Sequence, residues 1–143
     1  MSKGNTHLKR RYPSPYQMPL PTSAELAILS TLWSLGPSTV RDVHNALSSK
    51  RTRYTTVLKQ MQIMVVKGLL TRSECHRSHV YEPQFPKEQT QRELAGNLLR
   101  QGFDCSSKSL IRVALSSQEI SSAELREIRH MLDQFEKGLP RQR

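Results

Sequence analysis

The run Arg53-Tyr54-Thr55-Thr56-Val57-Leu58-Lys59-Gln60-Met61-Gln62-Ile63-Met64-Val65-Val66-Lys67-Gly68 decides how the chain folds. With a helical period of about 3.6 residues, Tyr54, Val57, Leu58, Met61, Met64 and Val65 share one arc. That arc predicts a helix from about Arg53 to Lys67 with an apolar inner face, ended by Gly68 in a left-handed position. The opposite arc carries Thr55, Thr56, Lys59, Ile63 and Val66, with Gln60 and Gln62 at its margins. A cation, two hydroxyls and flanking amides on an outward face are groups that hydrogen-bond base edges in a major groove. Ile63 and Val66 are the exceptions on this face. Thymine methyls or another packed element would each account for them.

Two helices are expected upstream. Thr22 and Glu25 have capping-box spacing, Leu26, Leu29, Leu32 and Trp33 recur at helical intervals as core, and Gly36-Pro37 stops the run. A short second helix follows from Ser38 or Thr39, with Val40, Val43 and Leu47 on one face and His44 packed beside it. Downstream, Leu69 to Glu74 and His79 to Pro83 read as two short strands around a polar tip, with Arg72 and Arg77 able to reach a polyanion. Three helices and a hairpin make a winged helix-turn-helix.

Charge agrees with a nucleic-acid partner. Of a formal +10, the chain up to Pro83 carries twelve bases against four acids, leaving ten against eight for the rest. Phosphate neutralisation supplies most non-specific affinity for nucleic acid, although charge alone does not separate DNA from RNA or an acidic lipid surface. Residues 1–21 hold Lys9-Arg10-Arg11 and four prolines, and read as a solvated basic arm. No apolar run is long enough to span a bilayer, and none follows the basic start as a secretory leader would, so a cytoplasmic protein is expected.

Sharper chemistries find little support. Cys75 and Cys105 cannot build a disulfide framework or a four-cysteine metal site. Cys75, His76 and His79 lack a second cluster to complete a coordination sphere, and Cys75 has no resolving cysteine nearby for redox sensing. The glycine-rich phosphate loop, the HExxH pair and a nucleophile signature are all missing, so no enzyme, cofactor or metal site is expected. Two competitors are a winged-helix interaction scaffold and a small-molecule-responsive repressor. The first has no need of Lys59 beside Thr55 and Thr56. The second needs a large apolar pocket, which the short polar C-terminal part does not suggest.

That C-terminal part, residues 84–143, is expected to be helical, with segments at about Pro86–Gln101 and Ser107–Leu115. Ser121 and Glu124 form a second capping pair ahead of Leu125, Ile128, Leu132 and Phe135, whose spacing makes a heptad-like seam. That seam seeks either the other C-terminal helices or a second subunit. The affinity and spacing that helix-turn-helix readers gain from a two-fold dimer favour the second, and the fold class is then mainly α, a winged helix-turn-helix over 22–83 followed by a helical dimerisation domain.

With these stretches in hand, the chain resembles the penicillinase-repressor family over nearly everything after residue 21. The resemblance rests on Ser23-Ala24-Glu25-Leu26-Ala27-Ile28-Leu29, Leu32-Trp33, Gly36-Pro37, Val40-Arg41-Asp42-Val43, Tyr54-Thr55-Thr56-Val57 and Lys67-Gly68-Leu69-Leu70. Val80-Tyr81-Glu82-Pro83 and Ile120-Ser121-Ser122-Ala123-Glu124-Leu125 with Ile128 extend it. It implies a homodimeric repressor of operator DNA, with the third helix in the major groove and the wing and second-helix start on phosphates. It also implies release through a sensor pathway that ends in proteolysis. These roles fall on Thr39, Thr55, Thr56, Lys59 and Arg77; Arg53, Gln60 and Gln62 are added from the face analysis alone. Lys59 stands where relatives commonly have a small polar residue, and Ile63 where they have arginine. The wing tip reads Cys75-His76-Arg77 instead of Gly before Arg. Val113-Ala114 occupies the place of the family's Asn-Phe cleavage pair, and the cysteine-rich tail of the copper-responsive branch is absent.

Overall fold

Thr22 closes the start of the first helix, α1 (Ser23–Leu35), through a reciprocal cap. Its hydroxyl accepts from the Glu25 N–H at 3.2 Å while its own N–H donates to Glu25 Oε1 at 2.9 Å. The computed structural model describes residues 18–47 and 51–139. Lys9-Arg10-Arg11 of the expected arm, and Lys50, lie outside the described residues. Gly36 ends α1 with φ 85°, a conformation that favours glycine. Thr39 then caps α2 (Val40–Ala46) with a second reciprocal box to Asp42.

The third helix, α3 (Tyr54–Lys67), follows Arg53, which makes no side-chain cap. Its end is a Schellman closure: the Gly68 N–H (φ 90°) donates to the Val65 carbonyl and the Leu69 N–H to the Met64 carbonyl at 2.9 Å. Leu69 and Met64, the pair such a closure brings together, are both buried. The chain then enters β1 (Leu70–Cys75), which pairs antiparallel with β2 (Ser78–Pro83) in the register Leu70↔Pro83 to Cys75↔Ser78. Only His76 and Arg77 separate the strands, both with positive φ (50° and 66°), as a type I′ turn requires. The linker between α1 and α2 is tied to the wing by two backbone bonds between Ser38 and Tyr81, at 3.0 and 2.8 Å.

The core lies between the helices and the wing base. Ile28, Leu29 and Leu32 meet Val40 and Val43 of α2 and Val57, Met61 and Met64 of α3, with Tyr81 closing the wing side. Met18, within the segment read as an arm, is also buried there and lies beside the Thr90 hydroxyl. Three expectations need correction. Leu26, read as core, is half-buried and stands outside the core cluster. Trp33 is half-buried rather than core, its indole N–H donating to the Phe85 carbonyl at 3.4 Å. Tyr54, assigned to the inner arc of α3, is exposed; the His44 ring meets it edge-on at 5.9 Å and the Arg41 guanidinium lies 5.6 Å from its centroid. As the first residue of the helix it precedes the buried turns.

Glu25 is buried at 3% exposure and pairs with Lys67 at the end of α3, at 2.7 Å. Burial pushes its carboxyl up. Hydrogen bonds from Lys67 and Thr22 and the lysine charge outweigh that, so the net direction is down. One pair therefore couples both ends of the helical core.

Three further helices follow: α4 (Lys87–Gly102), α5 (Ser107–Ser117) and α6 (Ser122–Gly138). The chain divides into two compact units at Asn97–Leu98, within α4. In the second unit Ser106 caps α5 and Ser121 caps α6, its hydroxyl accepting from the Glu124 N–H at 3.1 Å. Neither α5 nor α6 has a buried residue.

Candidate nucleic-acid interface

The outward face of α3 follows from its inward one. With Val57, Met61 and Met64 fixed in the core, the helical period turns Thr55, Thr56, Lys59, Gln62, Ile63 and Val66 to the surface, and all six are exposed. Thr55, Thr56, Lys59, half-buried Gln60 and Ile63 together line a shallow hollow of about 320 Å³. Four of the residues expected to read bases are thus gathered on one surface. Gln62 is exposed on the same helix but outside the hollow.

A second cleft, about 340 Å³, opens between three elements. Thr39 and Arg41 contribute from the start of α2, Tyr54 from α3, and Ser78 and His79 from β2. The Thr39 hydroxyl accepts from the Asp42 N–H at 3.2 Å, which leaves its own hydrogen free to donate. Arg41, stacked on Tyr54, adds a fixed cation, and His79 stands 3.4 Å from Glu74 across the wing. A cleft with a hydroxyl, a guanidinium and an imidazole can hold a phosphodiester oxygen. The sequence reading included Thr39 but missed Arg41, Ser78 and His79, because the elements that bring them together lie far apart in the chain.

Two expected contacts lie apart from both hollows. Arg53 is exposed at the N-cap of α3, and Arg77 is exposed at the wing tip. His44, read as a packing residue, is half-buried, and its Nε2–H donates to the Thr52 carbonyl at 2.8 Å, holding the chain that leads into α3. Among the described residues, no three His, Cys, Asp or Glu are placed to share a metal ion, and Cys75 and Cys105 are exposed free thiols. No helix among them is long and apolar enough to cross a membrane.

The exposed apolar groups of the second unit lie mainly on α5 and α6. Leu125, Leu132 and Phe135 of the expected seam are 37%, 53% and 69% exposed, with Ile128 half-buried between them. Met131 extends the exposed apolar surface of α6.

Comparison with known proteins adds the family. The sequence profile of the penicillinase repressor matches residues 21–134. The chain is 32% identical over 116 residues to the transcriptional regulator BlaI of two Mycobacterium tuberculosis strains, covering 80% of this chain and 83% of the relative. Among solved structures it is similar to a MarR family protein from Bacillus stearothermophilus, at 18% identity and TM-score 0.40, over 89% of this chain and 81% of that one. It is also similar to Bordetella bronchiseptica BpsR, whose DNA binding 6-hydroxynicotinic acid regulates, at 20% identity and TM-score 0.43, over 94% and 96%.

Proposed function

The chain belongs to the penicillinase repressor family and is a transcriptional regulator, not an enzyme; from that premise we propose that it binds a pseudo-palindromic operator in double-stranded DNA as a homodimer. One observation carries the reading: α3 buries its apolar arc and leaves Thr55, Thr56 and Lys59 exposed around one hollow. In the major groove the Lys59 ammonium donates to guanine O6 or N7, while the threonine hydroxyls and the Gln60 and Gln62 amides donate or accept. Arg53 at the helix start, the Thr39–Arg41 cleft and Arg77 at the wing tip bind backbone phosphates and set the register.

The second subunit covers the α6 face of Leu125, Ile128, Leu132 and Phe135. This interface supplies the two-fold symmetry that a palindromic site mirrors, with half-sites one helical turn or a multiple apart. A protease of a sensor pathway is a fitting release partner, since a cut in α5 detaches α6 and costs the second half-site. Val113 and Ala114, in place of the family's cleavage pair, are both exposed on that helix. Such a regulator acts in the cytoplasm, where the DNA is.

A gel-shift titration of the DNA upstream of the protein's own gene, at several salt concentrations, tests the reading. The expected result is a steep loss of affinity with salt and a preference over random duplex of about a thousandfold or more. Equal affinity for both duplexes would overturn it.

A further inference from the structure

Ile63 is the one residue of the α3 hollow with no hydrogen bond to offer. It is 49% exposed and shares the hollow with Thr55, Thr56, Lys59 and Gln60. Core packing does not account for it, because the helix buries Val57, Met61 and Met64 on the opposite arc. A protein-docking patch does not account for it either: Val66, one turn further on, is its one exposed apolar neighbour on this arc, and the other residues around it are polar or charged, whereas such patches are broad, contiguous and apolar. Val66 is 90% exposed but lies outside the hollow.

The floor of a major groove displays donors, acceptors and a single apolar group, the C5-methyl of thymine. A β-branched side chain, stiff at χ1, presents a fixed apolar surface to such a methyl. Resting on the reading that α3 enters the groove, we propose that Ile63 is a specificity-determining residue that selects a thymine by packing on its C5-methyl. Helix geometry fixes the spacing. Four residues separate Ile63 from Lys59, an advance of about 6 Å, and base pairs rise by about 3.4 Å. The selected thymine therefore lies within about two base pairs of the base that Lys59 contacts.

The test begins by selecting duplexes from a randomised library with the full chain, then replacing each thymine of the selected site in turn with deoxyuridine. That exchange removes the methyl and leaves every groove donor and acceptor in place. At one position per half-site, the exchange should weaken wild-type binding about fourfold, the worth of one buried methyl group. Ile63→Ala protein should be indifferent at that position, and Val66→Ala protein should keep the full response. If no duplex is enriched, the DNA-reading premise fails. If a duplex is enriched but wild-type and Ile63→Ala proteins respond alike to every deoxyuridine, the premise stands and the assignment of Ile63 is overturned.

Discussion

Replacing Arg77 with glycine should make the protein more stable and a weaker DNA binder at once. Arg77 sits in the two-residue wing turn at φ 66°, behind His76 at 50°. An L-residue with a side chain pays roughly 1–2 kcal/mol for the left-handed region. Glycine removes that cost but gains unfolded-state freedom worth up to about 1 kcal/mol. The net expectation is a gain of about 1 kcal/mol, or roughly 4–8 °C in the melting temperature of a domain of this size. Binding moves the other way, because each phosphate contact contributes about 0.9 to the salt slope and a dimer loses two. The slope of log K against log salt should fall by about 1.8, so that a fourfold rise in salt costs wild type about twelvefold more than the variant. Thermal melts by circular dichroism and fluorescence anisotropy on an operator duplex read both quantities. A variant that melts below wild type refutes the turn assignment; one that melts higher with an unchanged slope refutes a phosphate contact at the wing tip.

Ile128→Asp should turn the dimer into a monomer by light scattering, since a carboxylate in the middle of an apolar seam is costly to bury. Gly68→Ala should lower stability by more than about 1 kcal/mol in urea titration, because the helix closure holds that residue at φ 90°. The Glu25 carboxyl titrates below its ordinary 4.5 in the fold, so its contribution is full above that value and is lost as pH falls through the folded value. Glu25→Gln should therefore melt below wild type at neutral pH, and the gap should narrow as pH falls below 4.5; a constant gap would contradict the pairing with Lys67.

The features legible in the sequence were those written locally. The Thr22–Glu25 capping box, the Ser121 cap, the period of α3 and Gly68 set the helices, because each involves residues within one or two turns of one another; the Thr39–Asp42 box went unread. The wing was readable from its paired runs, but its turn was not: His76-Arg77 lacks the Asn-Gly chemistry that usually announces such a turn. Long-range geometry left no local trace. Nothing near Ser38 points to its backbone pairing with Tyr81, and Met18 among prolines gives no periodic sign of burial. Tyr54 falls on the inner arc by period alone, yet its ring lies at the surface among Arg41 and His44. Arg41, Ser78 and His79 likewise became candidates only once folding brought α2, α3 and β2 around one cleft. The α6 seam shows the converse case, a pattern plain in the sequence whose partner lies on another molecule in the proposed dimer.

The claim at the centre is that the outward face of α3 reads base sequence, and Lys59→Ala measured in parallel on operator and random duplexes tests it most directly. Lys59 is exposed and enters no ion pair among the described residues, so the variant should fold as wild type does. Operator affinity should fall by about 1–3 kcal/mol per subunit, the worth of a specific base contact, while random-duplex affinity falls only by the loss of one charge per subunit. Equal losses on both duplexes would mean that Lys59 serves the phosphate backbone alone, and would contradict the account.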